Sequence, residues 1–334
     1  MARIDALFAE VAEGEAALAA ARKGLETFRR ALLKAAVSGE LTKDWREANR
    51  ATETGLDFLA RLASVAASRS PGKGRRRRKA ESGSLDVLAL APLPDGWAWA
   101  ELEDLVISGP TNGYSPKKST DGSGTLALKL TATTRGQIDL SQRAVKSLSK
   151  MISPESDLFL KPGDLLFQRG NTIEYVGIAA VNAGPANAYV YPDLMIRVRT
   201  ESTELTQWIW RIANSPSGRK YMMDNATGTA GTMPKVSGEI LRKVPVPIPP
   251  PAEAAEILRR VADALAAAAD TQALLDAEAA DAARLRQSIL KAAFEGHLSE
   301  QDPTDEPASA LLARLEAVPS TAVPAKRGHR KPAA

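Results

Sequence analysis

Cysteine is absent from this chain of 334 residues, so no disulfide framework and no thiolate metal site is available to it. Histidine is nearly absent too: His297 follows a glycine-broken helix end and His329 sits in the tail. Neither lies near a Ser or Cys arrangement suited to nucleophilic catalysis, and a His/Cys metal site lacks ligands. No GxxxxGK[ST] phosphate loop occurs, and Gly122-Ser-Gly124 lacks the third glycine and the preceding strand of a dinucleotide fold. Asn214-Ser-Pro-Ser resembles an amino-methyltransferase loop only superficially, having neither the second proline nor a stacking aromatic. The acidic residues of the central region (Asp121, Asp139, Glu155, Asp157, Asp164, Glu174, Asp193) form no regularly spaced pair, and Asp164 after Gly163 reads as a turn residue. These absences argue against an enzyme and leave a stand-alone nuclease or methyltransferase without a supporting motif.

Long apolar runs are missing as well. VADALAAAAD is broken by Asp263 and Asp270, so no membrane span is expected. Asp5, Glu10, Glu13 and Glu15 stand where a secretory signal would need an apolar stretch, which implies a soluble, cytoplasmic protein. Aromatics make up only 5% of the chain, and much of its 44% apolar content is alanine. Such a composition suits helical rods plus one modest core of about 150 residues.

What is present is a repeat. FRRALLKAAVSGEL at 28–41 returns as LRQSILKAAFEGHL at 285–298, a shift of 257 with seven of fourteen positions identical, and FLARLASV at 58–65 returns as LLARLEAV at 311–318. The unit is a long helix, a turn at Gly39 or Gly296, a short helix and a basic tail, and the two copies frame a single-copy insert. Ile4, Leu7, Val11, Gly14, Leu18, Ala21, Leu25, Phe28, Leu32 and Ala35 alternate in steps of three and four. The same frame in the second copy gives Val261, Ala264, Ala268, Thr271, Leu275, Glu278, Ala282, Leu285, Ile289 and Ala292. Heptad spacing of this length is the pattern of a coiled-coil seam, and Leu18, Leu25, Phe28 and Leu32 are expected to face Leu275, Ala282, Leu285 and Ile289 in antiparallel order. At 1.5 Å per residue, about 30 residues make a rod of about 45–50 Å, longer than a core of this size covers.

The expected fold class is therefore α+β: one globular domain flanked by two long helices forming an antiparallel coiled coil. Residues 1–68 form helical copy one (a helix over 2–37, a short helix over 54–68), 69–92 a flexible linker, 93–249 the globular domain, 250–318 helical copy two and 319–334 a disordered tail. Within the domain, strands are expected from Trp97 and at 125–130, 164–168, 175–181, 188–191 and 194–199, with helices over 204–223 and 237–242. VPVPIPPP reads as an edge strand and rigid connector, and Pro250-Pro251 opens the second long helix.

Net charge is only +4, but cations cluster in Lys73-Gly-Arg75-Arg-Arg-Arg78-Lys79 and in Lys326, Arg327, Arg330 and Lys331, each after an equivalent short helix. Such runs are usual in solvated linkers and also hold phosphates through counterion release. Four polar loops carry the residues that groove reading requires. They contribute Lys117 and Lys118; Thr133, Arg135 and Gln137; Gln168, Arg169, Asn171 and Thr172; and Asn225, Thr227, Thr229, Thr232 and Lys235. These are the candidate DNA-binding residues. A structural adaptor whose insert binds protein is the competing class.

LPDGWAWAELEDL at 93–105, KPGDLLFQRGNTIEYVGIAAV at 161–181, GTAGTMPKVSGEILRKVPVPIPPPAEAAEI at 228–257 and LRQSILKAAFEGHLSEQDPTDEPASALL at 285–312 together resemble the specificity subunits of type I restriction–modification systems. The resemblance implies a target-recognition domain that reads one half of a bipartite DNA sequence, and helices that set spacing and dock methyltransferase (M) subunits. It implies no catalysis on this chain, S-adenosylmethionine on the partner methyltransferase, and association with restriction (R) subunits. Members of that family carry domain–helix–domain–helix. This sequence begins at the first helix, so a single-recognition-domain form is expected, completed by self-association or by a second recognition-domain chain. A two-fold dimer would read an interrupted palindrome. Pro251-Ala-Glu-Ala-Ala-Glu256 departs from the Leu and Gln common near that helix start.

Overall fold

The computed structural model describes residues 2–69, 90–117, 122–228, 233–298, 304 and 306–317. The basic runs at 73–79 and 326–331, together with His329, Lys118, Thr229 and Thr232, lie outside the described residues. The chain mixes helix and sheet, and it divides into two compact units. One comprises residues 21–273; the other comprises 1–20 with 274–334.

Helix α1 spans Ala2–Val37. It stops where Gly39 takes φ +75°, and the other long helix, α8 (Pro251–Phe294), stops where Gly296 takes φ +72°. Left-handed backbone at a helix end costs a glycine little, and it lets the last carbonyls be capped: Gly39 N–H donates to Ala36 O at 3.4 Å, Gly296 N–H to Ala293 O at 3.3 Å. The turn is thus repeated along with the sequence. After α1 come α2 (Lys43–Ala48) and α3 (Gly55–Arg69), and beyond α8 the repeat's short helix is α9 (Ala308–Glu316).

Between α3 and α8 lies the sheet-bearing part. Strand β1 (Ala98–Glu101) pairs antiparallel with β8 (Pro245–Ile248), which is where the proline-rich segment was expected to form an edge. The main sheet has order β2-β7-β5-β6, built from β2 (Val106–Asn112), β5 (Leu165–Gln168), β6 (Ala179–Val181) and β7 (Met195–Thr200). Strands β3 (Leu126–Leu128) and β4 (Val145–Ser147) form a separate antiparallel pair. Short helix α4 (Leu102–Leu105) joins β1 to β2.

Strand β5 is apolar without alternation because both faces of the sheet are covered. Leu165 and Phe167 point into the main cluster with Trp208, Ile209 and Ile212 of α5 (Thr203–Asn214), whereas Leu166 points into a second cluster with Leu128, Leu160 and Tyr191. Period-two side-chain geometry makes this division unavoidable. The main cluster also takes in Leu32 and Ala36 of α1 and Ile257 and Val261 of α8. Within this unit the two long helices run antiparallel. Arg29 donates to Ala268 O at 3.5 Å, Arg260 pairs with Asp44 at 2.7 Å, and Arg46 pairs with Glu253. Glu253 is buried and also accepts from Thr42 Oγ1 at 2.8 Å and Trp97 Nε1 at 2.9 Å.

Several expectations need correction. The helix over 204–223 is two helices, α5 and α6 (Pro216–Asn225), because Pro216 forces Ser215 into extended backbone, from which its hydroxyl caps Gly218 N–H at 3.2 Å. Of 175–181, only 179–181 is strand: Gly177 has φ +73°, and a side chain there would meet Met222. The segment at 188–191 makes only isolated bridges through Val190, to Ala127 and Phe159. Strand β2 was not anticipated; it holds Gly109-Pro110 on the sheet edge, where two register shifts against β7 accommodate them. Helix α7 (Gly238–Arg242) falls where expected.

The residues expected on the helix seam differ in burial. Leu32 and Ile289 are buried, and Leu18, Leu25 and Leu275 are half-buried. Phe28 is 45% exposed and Leu285 53% exposed, against the burial expected of them. Glu15 pairs with Arg286, and Arg29 rather than Phe28 reaches the facing helix. In α8, Gln272 and Ala279 are the more covered residues, and Thr271 and Glu278 are exposed. The alternate layer of the frame lies one residue later than the apolar pattern suggested. Long arginine stems cover helix surface while their heads reach polar atoms, so position there does not require a hydrophobic residue.

Candidate nucleic-acid interface

One end of the main sheet gathers three of the predicted loops. The chain leaves β5 at Gln168 and enters β7 at Met195, and those ends are neighbours in the sheet. Arg169 N–H donates to Leu194 O at 2.7 Å, and Val236 N–H donates back to Arg169 O at 2.8 Å. Gly170 bridges Lys235, and Lys235 bridges Thr227. Asn171 N–H donates to Pro234 O at 3.3 Å. Residues 168–175 therefore form one surface with 225–228 and 233–236, although they lie some distance apart in sequence. A third strip, Tyr114–Lys117, follows β2: Tyr114 N–H donates to Tyr191 O at 2.9 Å, and Ser115 Oγ donates to Asp193 Oδ1 at 2.6 Å.

Lys117, Thr172, Asn225, Thr227 and Lys235 are exposed on this surface, and Arg169 and Asn171 are half-buried. Arg169 is steadied by a long hydrogen bond from Nη1 to Asp193 O, 3.5 Å. A hydrogen bond from Thr172 holds the exposed Glu174 carboxyl below its ordinary value, so an anion sits beside the cations. Ile173 and Met233 are exposed apolar neighbours, 41% and 45%.

The fourth loop departs from expectation. Arg135 and Gln137 are exposed, but Gln137 bridges Val181 at the β6 side of the sheet, and Gly136 O accepts from Trp210 Nε1 at 2.8 Å. Thr133 and Gln168 are fully buried, which corrects their assignment as contact residues. Gln168 Nε2 donates to Thr133 Oγ1 at 3.0 Å and to Leu130 O at 3.3 Å, and Gln168 Oε1 accepts from Asn171 Nδ2 at 2.5 Å. Burial makes such amide pairing obligatory, so these side chains support the surface from behind.

Ser115, Asp193 and Leu194 join the loops, and sequence reading missed them. Their partners lie up to 78 residues away, and a Ser or Asp in a loop gives no local sign of a distant hydrogen bond. Behind β7, Arg197 is fully buried and binds Asp157, and Arg199 binds both Asp157 and Asp164. Burial pushes the Asp157 carboxyl up, but hydrogen bonds from Arg199 and Arg197 outweigh it and leave the group below its ordinary value. Among the described residues no group of His, Cys, Asp and Glu is arranged to hold a metal ion, and no helix is long and apolar enough to cross a membrane.

No family model matches the chain. It is 28% identical over 327 residues to the specificity subunit of the type I restriction enzyme EcoKI of Escherichia coli strain K12, covering 94% of this chain and 60% of that protein. It is 24% identical over 329 residues to the EcoDI specificity subunit of Escherichia coli, covering 94% and 65%. Among solved structures it is similar to the HsdS subunit from Thermoanaerobacter tengcongensis at 19% identity, covering 89% of this chain and 57% of that one, with a TM-score of 0.42. The chain spans about three-fifths of the length of the curated relatives it matches. Over most of its length it is similar to type I restriction-enzyme specificity subunits.

Proposed function

We propose that this chain reads double-stranded DNA sequence as a non-catalytic specificity subunit of a type I restriction–modification complex. The observation that carries the reading is the gathering of Arg169, Asn171, Thr172, Thr227 and Lys235 at one sheet end, in a chain that aligns over 94% of its length with specificity subunits. Arg and Asn read purine edges through paired hydrogen bonds, apolar groups such as Ile173 and Met233 suit the thymine methyl, and Lys, Thr and backbone N–H groups hold phosphate. Residues 93–249 serve as the recognition domain for one half of a bipartite target. The long helices extend as an antiparallel coiled coil that spaces the domain and docks methyltransferase subunits, which carry S-adenosylmethionine. Restriction subunits and a second recognition domain, from another copy or another chain, complete the assembly in the cytoplasm.

Titration of the purified chain on random and on enriched duplexes across a salt series tests this. A salt-steep component common to all duplexes and a tighter component confined to particular sequences are expected. Equal affinity for every sequence at every salt concentration refutes sequence reading.

A further inference from the structure

The hydrogen bonds behind Asn171 do more than support it: they fix which way its amide faces. The chain of bonds starts at Leu130 O, a carbonyl that only accepts. It accepts from Thr133 Oγ1 at 3.5 Å and from Gln168 Nε2 at 3.3 Å. Thr133, its proton committed there, accepts from the same Gln168 nitrogen at 3.0 Å. Gln168 therefore has its NH2 group turned toward Leu130 and its Oε1 turned the other way, and that oxygen accepts from Asn171 Nδ2 at 2.5 Å. Asn171 Oδ1 in turn accepts from Thr172 N–H at 2.8 Å.

Reversing the Asn171 amide would set oxygen against Gln168 Oε1 and NH2 against the Thr172 N–H, two repulsive contacts in place of two bonds. Reversing Gln168 to relieve the first would set its oxygen against Leu130 O. Gln168 and Thr133 are buried, so water is not there to substitute. A backbone carbonyl, acting through two buried side chains, thus dictates the polarity of an amide at the surface.

Each amide nitrogen has two protons and each amide oxygen two lone pairs. Asn171 has spent one of each inward, so it keeps one donor and one acceptor side by side, in a fixed order, on a half-exposed residue at the recognition surface. In the major groove that pair complements adenine, whose N7 accepts and whose N6 donates; guanine presents two acceptors and cytosine a donor. We infer that Asn171 is a specificity-determining residue that selects adenine at one position of the target, with Gln168 and Thr133 as positioning residues that fix its donor–acceptor order. This rests on the DNA-reading proposal above and assigns one base within it.

The experiment is selection by the full chain from a duplex pool randomised across the binding footprint, read by sequencing, with thermal melting to confirm folding. Asn171→Ala should lower the preference for adenine at one position about tenfold and leave the other positions as they were. Asn171→Asp, which presents acceptors only, should move that position toward cytosine. Gln168→Leu should blur the same position alone. The inference is overturned if Asn171→Ala leaves every position unchanged, or weakens all equally, while Arg169→Ala alters selection; DNA reading then survives without it. If neither Asn171→Ala, Arg169→Ala nor Lys235→Ala alters selection or affinity, the DNA-reading proposal itself fails.

Discussion

At Leu32 and Ile289 the two copies of the repeat bury an aliphatic side chain to nearly the same extent, 7% and 6% exposed. One residue further on the copies part. Leu33 and Val37 pack against the main hydrophobic cluster, whereas their counterparts Leu290 and Phe294 are 42% and 91% exposed. The same helix end therefore carries two apolar faces with separate purposes. One is buried in both copies, and the other is partly covered only in the unit that contains the sheet. The polar contacts follow the same division. In the unit of residues 21–273, Glu253 is enclosed by Thr42, Trp97 and Arg46. In the other unit, Glu15 meets Arg286 at 3.8 Å with both side chains well exposed. Repetition of sequence does not repeat energetics, because burial decides what each contact contributes.

The largest effect expected from this contrast is at Glu253. Glu253→Ala strands the Trp97 N–H, the Thr42 hydroxyl and a partly buried guanidinium, and should cost about 3 kcal/mol, measured by urea unfolding followed through tryptophan fluorescence. Glu15→Ala should cost no more than about 0.5 kcal/mol. Similar losses for the two would mean that the two units are not distinguished by burial in the way described.

A smaller difference is expected on the outer apolar face. Leu33→Ser should destabilise by about 1–2 kcal/mol, since it removes contact with the main cluster, while Leu290→Ser should change stability by less than about 0.5 kcal/mol. Denaturant midpoints of the two variants give the comparison directly. A larger loss for Leu290→Ser would show that its face is covered in solution.

How far all this was legible in the sequence depends on the kind of interaction. The ends of α1 follow from its periodicity and from Gly39, and the start of α8 from Pro251, because these signals are local. The phase of the seam beyond every second layer was not legible: alanines offer two nearly equal stripes, and Arg29 takes a position that an apolar pattern assigns to Phe28. The candidate loops announced themselves by Arg, Asn and Thr beside glycine. Which of those residues face outward did not, since Gln168 and Thr133 become buried only when segments 35 residues apart meet.

The smallest effect separates β7 from both regions and depends on pH. Asp157 is held below its ordinary value by Arg199 and Arg197, so its ion pairs add stability above about pH 3.8 and lose it as pH falls below that. Asp157→Asn should lower stability at neutral pH and flatten the acid part of the profile. Thermal melting between neutral and acid pH reads both changes. An unchanged acid slope would remove Asp157 from the pH response.

DNA reading is proposed for the sheet end carrying Arg169, Asn171 and Lys235, and spacing and docking for the helices. Fluorescence anisotropy of the full chain on an enriched duplex and on a scrambled one tests it most directly, with Arg169→Ala/Lys235→Ala compared with Leu290→Ser. The double variant is expected to lose its preference for the enriched duplex while Leu290→Ser keeps it. Preference intact in the double variant, or lost in Leu290→Ser, would contradict it.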